Sequence, residues 1–265
     1  MTDDKVPSLG DMVRGLSGKD GQVTAHISAH WMQGRTAFGG ITAALALAAT
    51  RQTLPELPAL RSMQVSFLRP ITEEVRFDVA LIRQGRTSSF VQVDCISGDK
   101  LGARCTFVFG ADRESAIIHD FGPAPRMSDV DSLPDLVRRS KAPSFFDNFE
   151  ARVADGDPLI SGSTRPEVLV WSRLLARDDI DPEIAFICNA DSLPPAAMTT
   201  FTVPAPISTI TWSLDMARCP SDTDWTLTRT TSKQAANGYS VQDMEIRARD
   251  GALLASAQQM VALFA

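Results

Sequence analysis

The chain has 265 residues with ordinary hydrophobic (44%) and charged (22%) contents, enough for one large globular domain or two of about 130 residues. A formal net charge of −6 argues against nucleic acid as the main partner, although a local basic patch could still hold an anionic ligand. The N-terminal residues show no apolar signal-peptide segment, and no uncharged apolar run is long enough to span a bilayer. We therefore expect a cytoplasmic protein that does not enter a membrane.

A long apolar helix dominates the first third of the chain. It follows a short helix predicted over residues 9–16 and a strand predicted over 22–28. Gly39 and Gly40 precede it, and it extends over residues 41–54 to a proline. A helix that is apolar on all faces is buried, and about 20 Å of length is too short for a membrane span. The two glycines allow its first turn to approach another segment closely.

The remaining elements follow in two similar series. Period-two alternation predicts four strands in a meander, over residues 61–70, 74–83, 88–96 and 101–109. Residues 112–150 are rich in proline and are predicted as a linker, with a short helix at 133–141. The second series has a strand at 166–174, a helix-competent segment at 182–193, and strands at 208–215, 224–232, 238–247 and 252–264. The repeated order predicts a pseudo-dimer with halves 1–111 and 151–265.

Several common sites are absent from the sequence. The cysteines and histidines lack zinc-ligand spacing, and we expect no metal and buried free thiols. There is no Gly-x-Ser-x-Gly elbow, no P-loop and no Gly-x-Gly-x-x-Gly motif. We find no activated serine or cysteine nucleophile, so we expect no covalent enzyme intermediate.

Four short motifs in this order resemble the double hotdog acyl-CoA thioesterases and are similar to bacterial acyl-CoA thioesterase II. They are the segment from Trp31 through Phe38-Gly-Gly, Phe67-Leu-Arg-Pro70, Arg83-Gln-Gly-Arg86 and the closing segment from Asp250 to Ser256. The resemblance implies an α+β double hotdog fold, in which two curled antiparallel sheets each wrap a helix and join into one continuous sheet. It implies hydrolysis of an acyl-CoA to acid and coenzyme A in lipid metabolism, with no cofactor beyond the coenzyme A of the substrate. We expect a homodimer, because such sheets leave surfaces exposed.

The resemblance also implies three catalytic residues that activate a water molecule. The aspartate, expected around the start of the second helix, matches Asp191. The threonine matches Thr209, with Thr211 as a competing assignment. The glutamine matches Gln259, and strand alternation places its neighbour Gln258 on the other face of the sheet.

The sequence departs from the family pattern in two places. The stretch between Asp191 and Thr209 is shorter, and Ser213-Leu-Asp-Met-Ala-Arg stands where the family has an aromatic His-x-Trp-Phe-His-Arg motif. Residues of that motif are linked to substrate handling, so the acyl and coenzyme A specificity of the family does not carry over.

Other residues have both a functional and an ordinary interpretation. The backbone N–H groups of Gly39 and Gly40 could stabilise an oxyanion, or the pair could form a structural turn. Trp31 and Phe38 could line an acyl tunnel or pack in the core. The arginines that could meet coenzyme A phosphates, or simply be solvated, are Arg35, Arg83 and Arg86.

Two alternative functions stay open at this point. His30 precedes the long helix, where hotdog dehydratases carry a catalytic histidine, and Asp191 could serve as its acidic partner. This arrangement would favour hydration or dehydration of an acyl-CoA. The third hypothesis is a non-catalytic module that binds acyl groups or coenzyme A.

Overall fold

The computed structural model describes residues 6–119, 127–136 and 142–265. Three α-helices lie in these ranges: α1 (Leu9–Arg14), α2 (Gly39–Thr53) and α3 (Pro182–Ala190). The long apolar helix predicted from the sequence is α2, and every residue from Gly40 to Thr50 is buried. None of the described helices has the length and apolar character needed to cross a lipid bilayer.

A single antiparallel sheet of twelve strands surrounds α2 and α3, and a separate hairpin of two short strands precedes α2. The strands are β1 (Ser17–Lys19), β2 (Gln22–His26), β3 (Met32–Gln33), β4 (Thr36–Ala37), β5 (Leu60–Phe67), β6 (Glu74–Gln84), β7 (Ser88–Ser97), β8 (Lys100–Gly110), β9 (Phe149–Gly156), β10 (Glu167–Leu174), β11 (Ile207–Met216), β12 (Thr226–Ala236), β13 (Tyr239–Ala248) and β14 (Leu253–Leu263). Their order in the sheet is β1-β2-β6-β7-β8-β5-β11-β14-β13-β12-β10-β9.

The two halves join where β5 pairs with β11, from Ser62↔Asp215 to Ser66↔Thr211. The predicted arrangement of two sheet-wrapped helices in one continuous sheet is therefore confirmed. The predicted four-strand meander is wrong, because β5 pairs with β8 and not with the next strand β6. Of these four strands, β6, β7 and β8 pair in chain order, and β5 does not pair with β6. The position of β5 beside β8 leaves its other edge free to pair with the second half.

The predicted division into residues 1–111, a linker of 112–150 and residues 151–265 remains a prediction. Strand β9 begins at Phe149, inside the predicted linker, and pairs with β10 at the edge of the sheet. The helix predicted at 133–141 lies partly outside the described residues. Its described part is not helical, and Asp135 instead forms an isolated bridge to Arg152.

Helices α2 and α3 pack against each other in opposite directions inside the sheet. At one end Arg51, in the last turn of α2, forms an ion pair of 2.6 Å with Glu183 in the first turn of α3. The other carboxylate oxygen of Glu183 accepts a hydrogen bond from the backbone N–H of Leu60 at 2.7 Å. This largely buried pair ties the two halves together at that end. The opposite end places the start of α2 against the end of α3.

Candidate active site

The residue Asp191 lies where the end of α3 meets the start of α2. Helix α3 starts at Pro182, after Asp181 caps its first turn by accepting from the N–H groups of Glu183 and Ile184, and Asp191 follows its last residue. The predicted position near the start of the second helix is therefore wrong, since Asp191 lies at its C-terminal end. Antiparallel packing brings this carboxylate to the N-terminus of α2, where the helix dipole favours an anion.

Two donors hold the Asp191 carboxylate. The Gln259 amide donates from Nε2 to Oδ1 at 2.6 Å, and the backbone N–H of Gly40 donates a second bond. Burial raises the pKa of Asp191 from its usual 3.8 to about 7, and these two hydrogen bonds oppose part of that rise. The site therefore holds a carboxyl group that exchanges its proton near neutral pH.

Glycine at positions 39 and 40 is what permits this contact. A Cβ atom at Gly39 would lie 2.5 Å from Oδ2 of Asp191, and one at Gly40 would lie 2.5 Å from the backbone oxygen of Cys188. The N–H of Gly40 is bonded to Asp191, and the oxyanion role predicted for the two glycines stays a prediction. Both glycines serve the close approach of the two helices.

Gln259 belongs to a buried chain of amides that sequence reasoning found only in part. Gln242 on β13 pairs directly with Gln259 on β14 and donates from Nε2 to its Oε1 at 3.0 Å. Oε1 of Gln242 accepts from the backbone N–H of Ala196 at 2.7 Å. Gln258 lies on the opposite face, where it is exposed and donates to Asp243. Gln242 was not identified from the sequence.

The two candidate threonines point to opposite faces of β11. The β11–β14 register shifts between them, so that Thr209 pairs with Val261 while Thr211 pairs with Met260. Val261 is buried and shares the inward face with Gln259, whereas Thr211 is exposed. An extra residue in one strand produces such a change of face. Thr209 is therefore on the side of the sheet that faces Asp191.

Trp31 and Phe38 are core residues in this structure. Both are 1% exposed. The Trp31 indole donates to the backbone oxygen of Pro7 at 2.9 Å, and the Phe38 ring stacks on Phe145 with centroids 4.1 Å apart. These contacts correspond to the packing interpretation of the two aromatic residues, and a role of either one in an acyl tunnel stays a prediction.

The structure does not bring Arg86 to Asp191. Arg86 is exposed in the β6–β7 turn, just before Ser88, which pairs with Gly110 at the end of β8. The backbone N–H of Gly110 bonds to Ala59 next to the start of β5, which is the end of the sheet near the Arg51–Glu183 pair. Asp191 is at the opposite end of the two helices. Arg86 therefore does not approach Asp191 within this chain, and its predicted contact with coenzyme A phosphates stays a prediction.

His30 is exposed in the turn before α2, and its backbone oxygen accepts a bond from Asn148. The hydrogen bonds that reach Asp191 come from Gln259 and Gly40. The acid–histidine pair required for hydratase chemistry is therefore not formed between His30 and Asp191 in this structure.

Titration of Asp191 should link folding stability to pH. The folded-state pKa of about 7 lies above the usual 3.8. At pH values between the two, the folded chain therefore keeps a proton that the unfolded chain has lost. This contribution is complete below the unfolded-state pKa and disappears as the pH rises through the folded-state pKa. We expect the difference in free energy of unfolding between the wild type and Asp191→Asn to fall by about 1.4 kcal/mol per pH unit from about pH 5 to 6.5. Urea unfolding at each pH measures it, and a constant difference would contradict the raised pKa.

Family profiles match both halves of the chain. The acyl-CoA thioesterase N-terminal domain matches residues 27–110, and the acyl-CoA thioesterase C-terminal domain matches residues 124–263. Comparison with curated proteins finds no match for the chain.

Solved structures share the fold over almost the whole chain. A hot dog fold protein from Alicyclobacillus acidocaldarius is 23% identical with a TM-score of 0.88, covering 97% of this chain and 98% of its own. Acyl-CoA thioesterase II TesB2 from Mycobacterium marinum is 18% identical with a TM-score of 0.76, covering 96% and 97%. A tesB protein from Mycobacterium avium subspecies paratuberculosis is 19% identical with a TM-score of 0.77, covering 97% and 99%. These similarities confirm the predicted hotdog architecture.

Proposed function

Because the chain belongs to the acyl-CoA thioesterase family, whose two domain profiles together match most of it, we propose that it hydrolyses an acyl-CoA thioester to a free acid and coenzyme A. The observation that carries this proposal is the Asp191 carboxyl group. Its pKa of about 7 suits a general base at neutral pH, since a base is most effective when its pKa lies near the working pH. Its two hydrogen bonds fix the direction in which it faces.

In the proposed reaction, the oxygen of a water molecule attacks the thioester carbonyl carbon while one water proton passes to Asp191. The tetrahedral intermediate then collapses, the carbon–sulfur bond breaks, and the sulfur leaves with the bonding electron pair. Asp191 returns its proton to that sulfur, so the products are the carboxylic acid and the coenzyme A thiol. One water molecule and one thioester thus give one acid and one thiol, and Asp191 ends in the ionised state in which it began.

The remaining roles follow from the positions of the side chains. We assign Thr209, on the inward face of β11, to hold the water by its hydroxyl group. Gln259 holds Asp191 through Nε2. The oxyanion donor role proposed for the glycine pair is left to Gly39, assisted by the dipole at the start of α2.

A covalent mechanism through the nearby cysteine is disfavoured. Cys188 is fully buried in α3, and both burial and the charge of Asp191 raise the pKa of its thiol well above the usual value. The thiolate is the nucleophilic form of cysteine. A buried thiol that resists ionisation is a poor nucleophile, so attack by water on the thioester is the better supported route.

The test of this function is a panel of acyl-CoA substrates from short to long chains, including aromatic acyl groups, with free thiol release as the readout. Turnover on at least one substrate supports the proposal. Tight binding across the panel without thiol release would favour the non-catalytic binding module. Hydration of an enoyl-CoA that is lost in His30→Ala and retained in Asp191→Asn would favour the hydratase alternative.

The activity should rise with pH through the titration of Asp191. Since the ionised form is the base and its pKa is about 7, kcat/KM should fall by about tenfold per pH unit below about pH 6 and reach a plateau above about pH 8. The measurement is kcat/KM from pH 5 to 9 with a substrate that shows turnover. An acid limb centred near the usual carboxyl pKa of 3.8 would contradict the role of burial.

Several finer properties remain predictions. They are homodimer formation, which light scattering of the purified chain tests, a cytoplasmic location, participation in lipid metabolism, and a reaction that needs no metal or cofactor. The acyl chain preferred by the site is the result that the substrate panel provides.

A further inference from the structure

Gln242 occupies a position where the equivalent region of the first half is apolar. It is 1% exposed and pairs across β13–β14 with Gln259, which is 5% exposed. The inward-facing pairs Val91↔Phe107 and Val93↔Cys105 of β7–β8 are hydrophobic. Burial of two side-chain amides is unfavourable unless their polar atoms are bonded. The second half therefore carries a polar pair at a place where this fold accepts an apolar one.

The hydrogen bonds of this pair have a fixed direction. A backbone N–H can only donate, so the N–H of Ala196 requires that Gln242 turn its Oε1 toward it. Nε2 of Gln242 must then face Gln259, and Oε1 of Gln259 accepts from it. Nε2 of Gln259 is left to donate to Asp191. Rotating the Gln259 amide by half a turn would place two oxygens together at Asp191 and two NH₂ groups together at Gln242.

We propose that Gln242 is a positioning residue for hydrolysis, which acts through Gln259 by keeping an N–H donor directed at the carboxylate of Asp191. The kinetic part of this inference rests on the proposed function. The structural part does not, because the orientation of Gln259 and the ionisation of Asp191 exist without substrate.

The surroundings of Asp191 make this donor effective. Helix α2 has no acidic residue in its first turn, and its basic residue Arg51 is in the last turn. Burial and the charge of Asp191 raise the pKa of the Cys188 thiol on α3, so this thiol is neutral beside the carboxylate. From the sheet, Gln259 faces Asp191 with a neutral amide. With only burial opposing ionisation, the donors from Gln259 and Gly40 are what limit the rise of the Asp191 pKa.

The first test is Gln242→Met, which keeps the length of the side chain but removes both amide bonds. Gln259 is then free to turn its oxygen to Asp191. We expect the pKa of Asp191 to rise by about one pH unit. At pH values below that pKa, kcat/KM should then fall by about tenfold, while KM should change less than about twofold. Carboxyl ¹³C NMR, in which the Asp191 signal is assigned by its loss in Asp191→Asn, measures the pKa without any substrate.

The matched control is Gln258→Met, on the neighbouring residue of β14 that faces outward and bonds to Asp243. It removes an exposed amide of the same size and should leave both the pKa of Asp191 and the pH profile unchanged. If the change in the Asp191 pKa were the same in Gln242→Met as in Gln258→Met, the inference would be overturned.

A second variant covers the case in which Gln242→Met does not fold. Gln242→Glu keeps the shape and, while protonated, can still accept from Ala196 and donate to Gln259. Once ionised it turns an acceptor oxygen toward Oε1 of Gln259 and draws the NH₂ group of that amide away from Asp191. We expect a folded protein that loses the high-pH plateau of the wild type. A wild-type profile in this variant would show that Gln242 only caps the turn at Ala196–Thr200.

These experiments distinguish a failure of the proposed function from a failure of the positioning role of Gln242. If the wild type releases no coenzyme A from any substrate, the proposed function fails, yet the NMR titration still reports whether Gln242 controls Asp191. If the wild type is active and neither Gln242 variant changes the Asp191 pKa or the pH profile, the proposed function stands and the positioning role is rejected.

Discussion

Replacement of Asp191 by asparagine should lower kcat by about 10²–10⁴-fold while KM stays close to the wild-type value. The asparagine oxygen can still accept the bond from Nε2 of Gln259 that now reaches Oδ1 at 2.6 Å, so the side chain should keep its place. An amide cannot take the proton of the attacking water. The loss should therefore appear in the chemical step and not in binding, which single-turnover kinetics with a substrate from the active panel would measure.

The control is Asp243→Asn, on the outer face of β13. Asp243 also accepts a hydrogen bond from a glutamine Nε2, that of Gln258 at 3.0 Å, but it lies on the face of the sheet that points away from Asp191. Removing its charge tests whether a general change of charge affects turnover. If Asp191→Asn retained full turnover, or if Asp243→Asn lost as much, Asp191 would not be the base.

The strands could be located from the sequence, whereas their order could not. The sequence located β5 to β8 and β10 to β14 to within a few residues. Alternation of buried and exposed residues marks β5 to β8, whereas β10 is a continuous apolar run that is buried on both faces. Alternation is a local property and does not state which strands pair, so the place of β5 beside β8 was missed. Strand β9 was also missed, since it is an edge strand with only its first residue, Phe149, fully buried.

The site was predicted in part, for reasons that lie in individual strands. Residues two apart normally share a face, so the sequence could not separate Thr209 from Thr211; the irregularity between them does. In β13, apolar Tyr239 and Val241 suggest an inward face, yet they are exposed while Gln242 is buried. The face is set by Met244 and Ile246 further along the strand, so the polar residue points inward. The two ends of β13 give conflicting hydrophobic patterns, so periodicity did not single out Gln242.

Alanine at Gly39 and Gly40 should have large effects of two different kinds. In the interior of a helix, Gly→Ala normally adds about 1 kcal/mol of stability. At Gly40, however, the new Cβ would lie 2.5 Å from the backbone oxygen of Cys188, which cannot rotate away. The helices α2 and α3 would have to separate, and we expect a net loss of about 1–3 kcal/mol in the free energy of unfolding.

At Gly39 the new Cβ would instead meet the ends of two side chains, Oδ2 of Asp191 at 2.5 Å and the Phe67 ring at 3.0 Å. Side chains can move, so stability should fall less than for Gly40→Ala. The displaced carboxylate would lose its alignment with Gln259, and a displacement of about 1 Å can reduce turnover by about a hundredfold. Thermal unfolding should therefore show the larger loss for Gly40→Ala, while kcat should fall strongly in Gly39→Ala even though that variant is the more stable of the two.

Gly15→Ala is the control for the substitution itself. Gly15 follows α1 with a φ of −79°, and its Cβ would make an ordinary contact of 3.4 Å with the backbone oxygen of Asp11. We expect a change within about 0.5 kcal/mol and unaltered turnover. If the variants at Gly39 and Gly40 behaved like this control, the helices could not be as close as the structure places them. The bond from the Gly40 N–H to Asp191 would then lose its basis as well, because that bond depends on the same approach of α2 to α3.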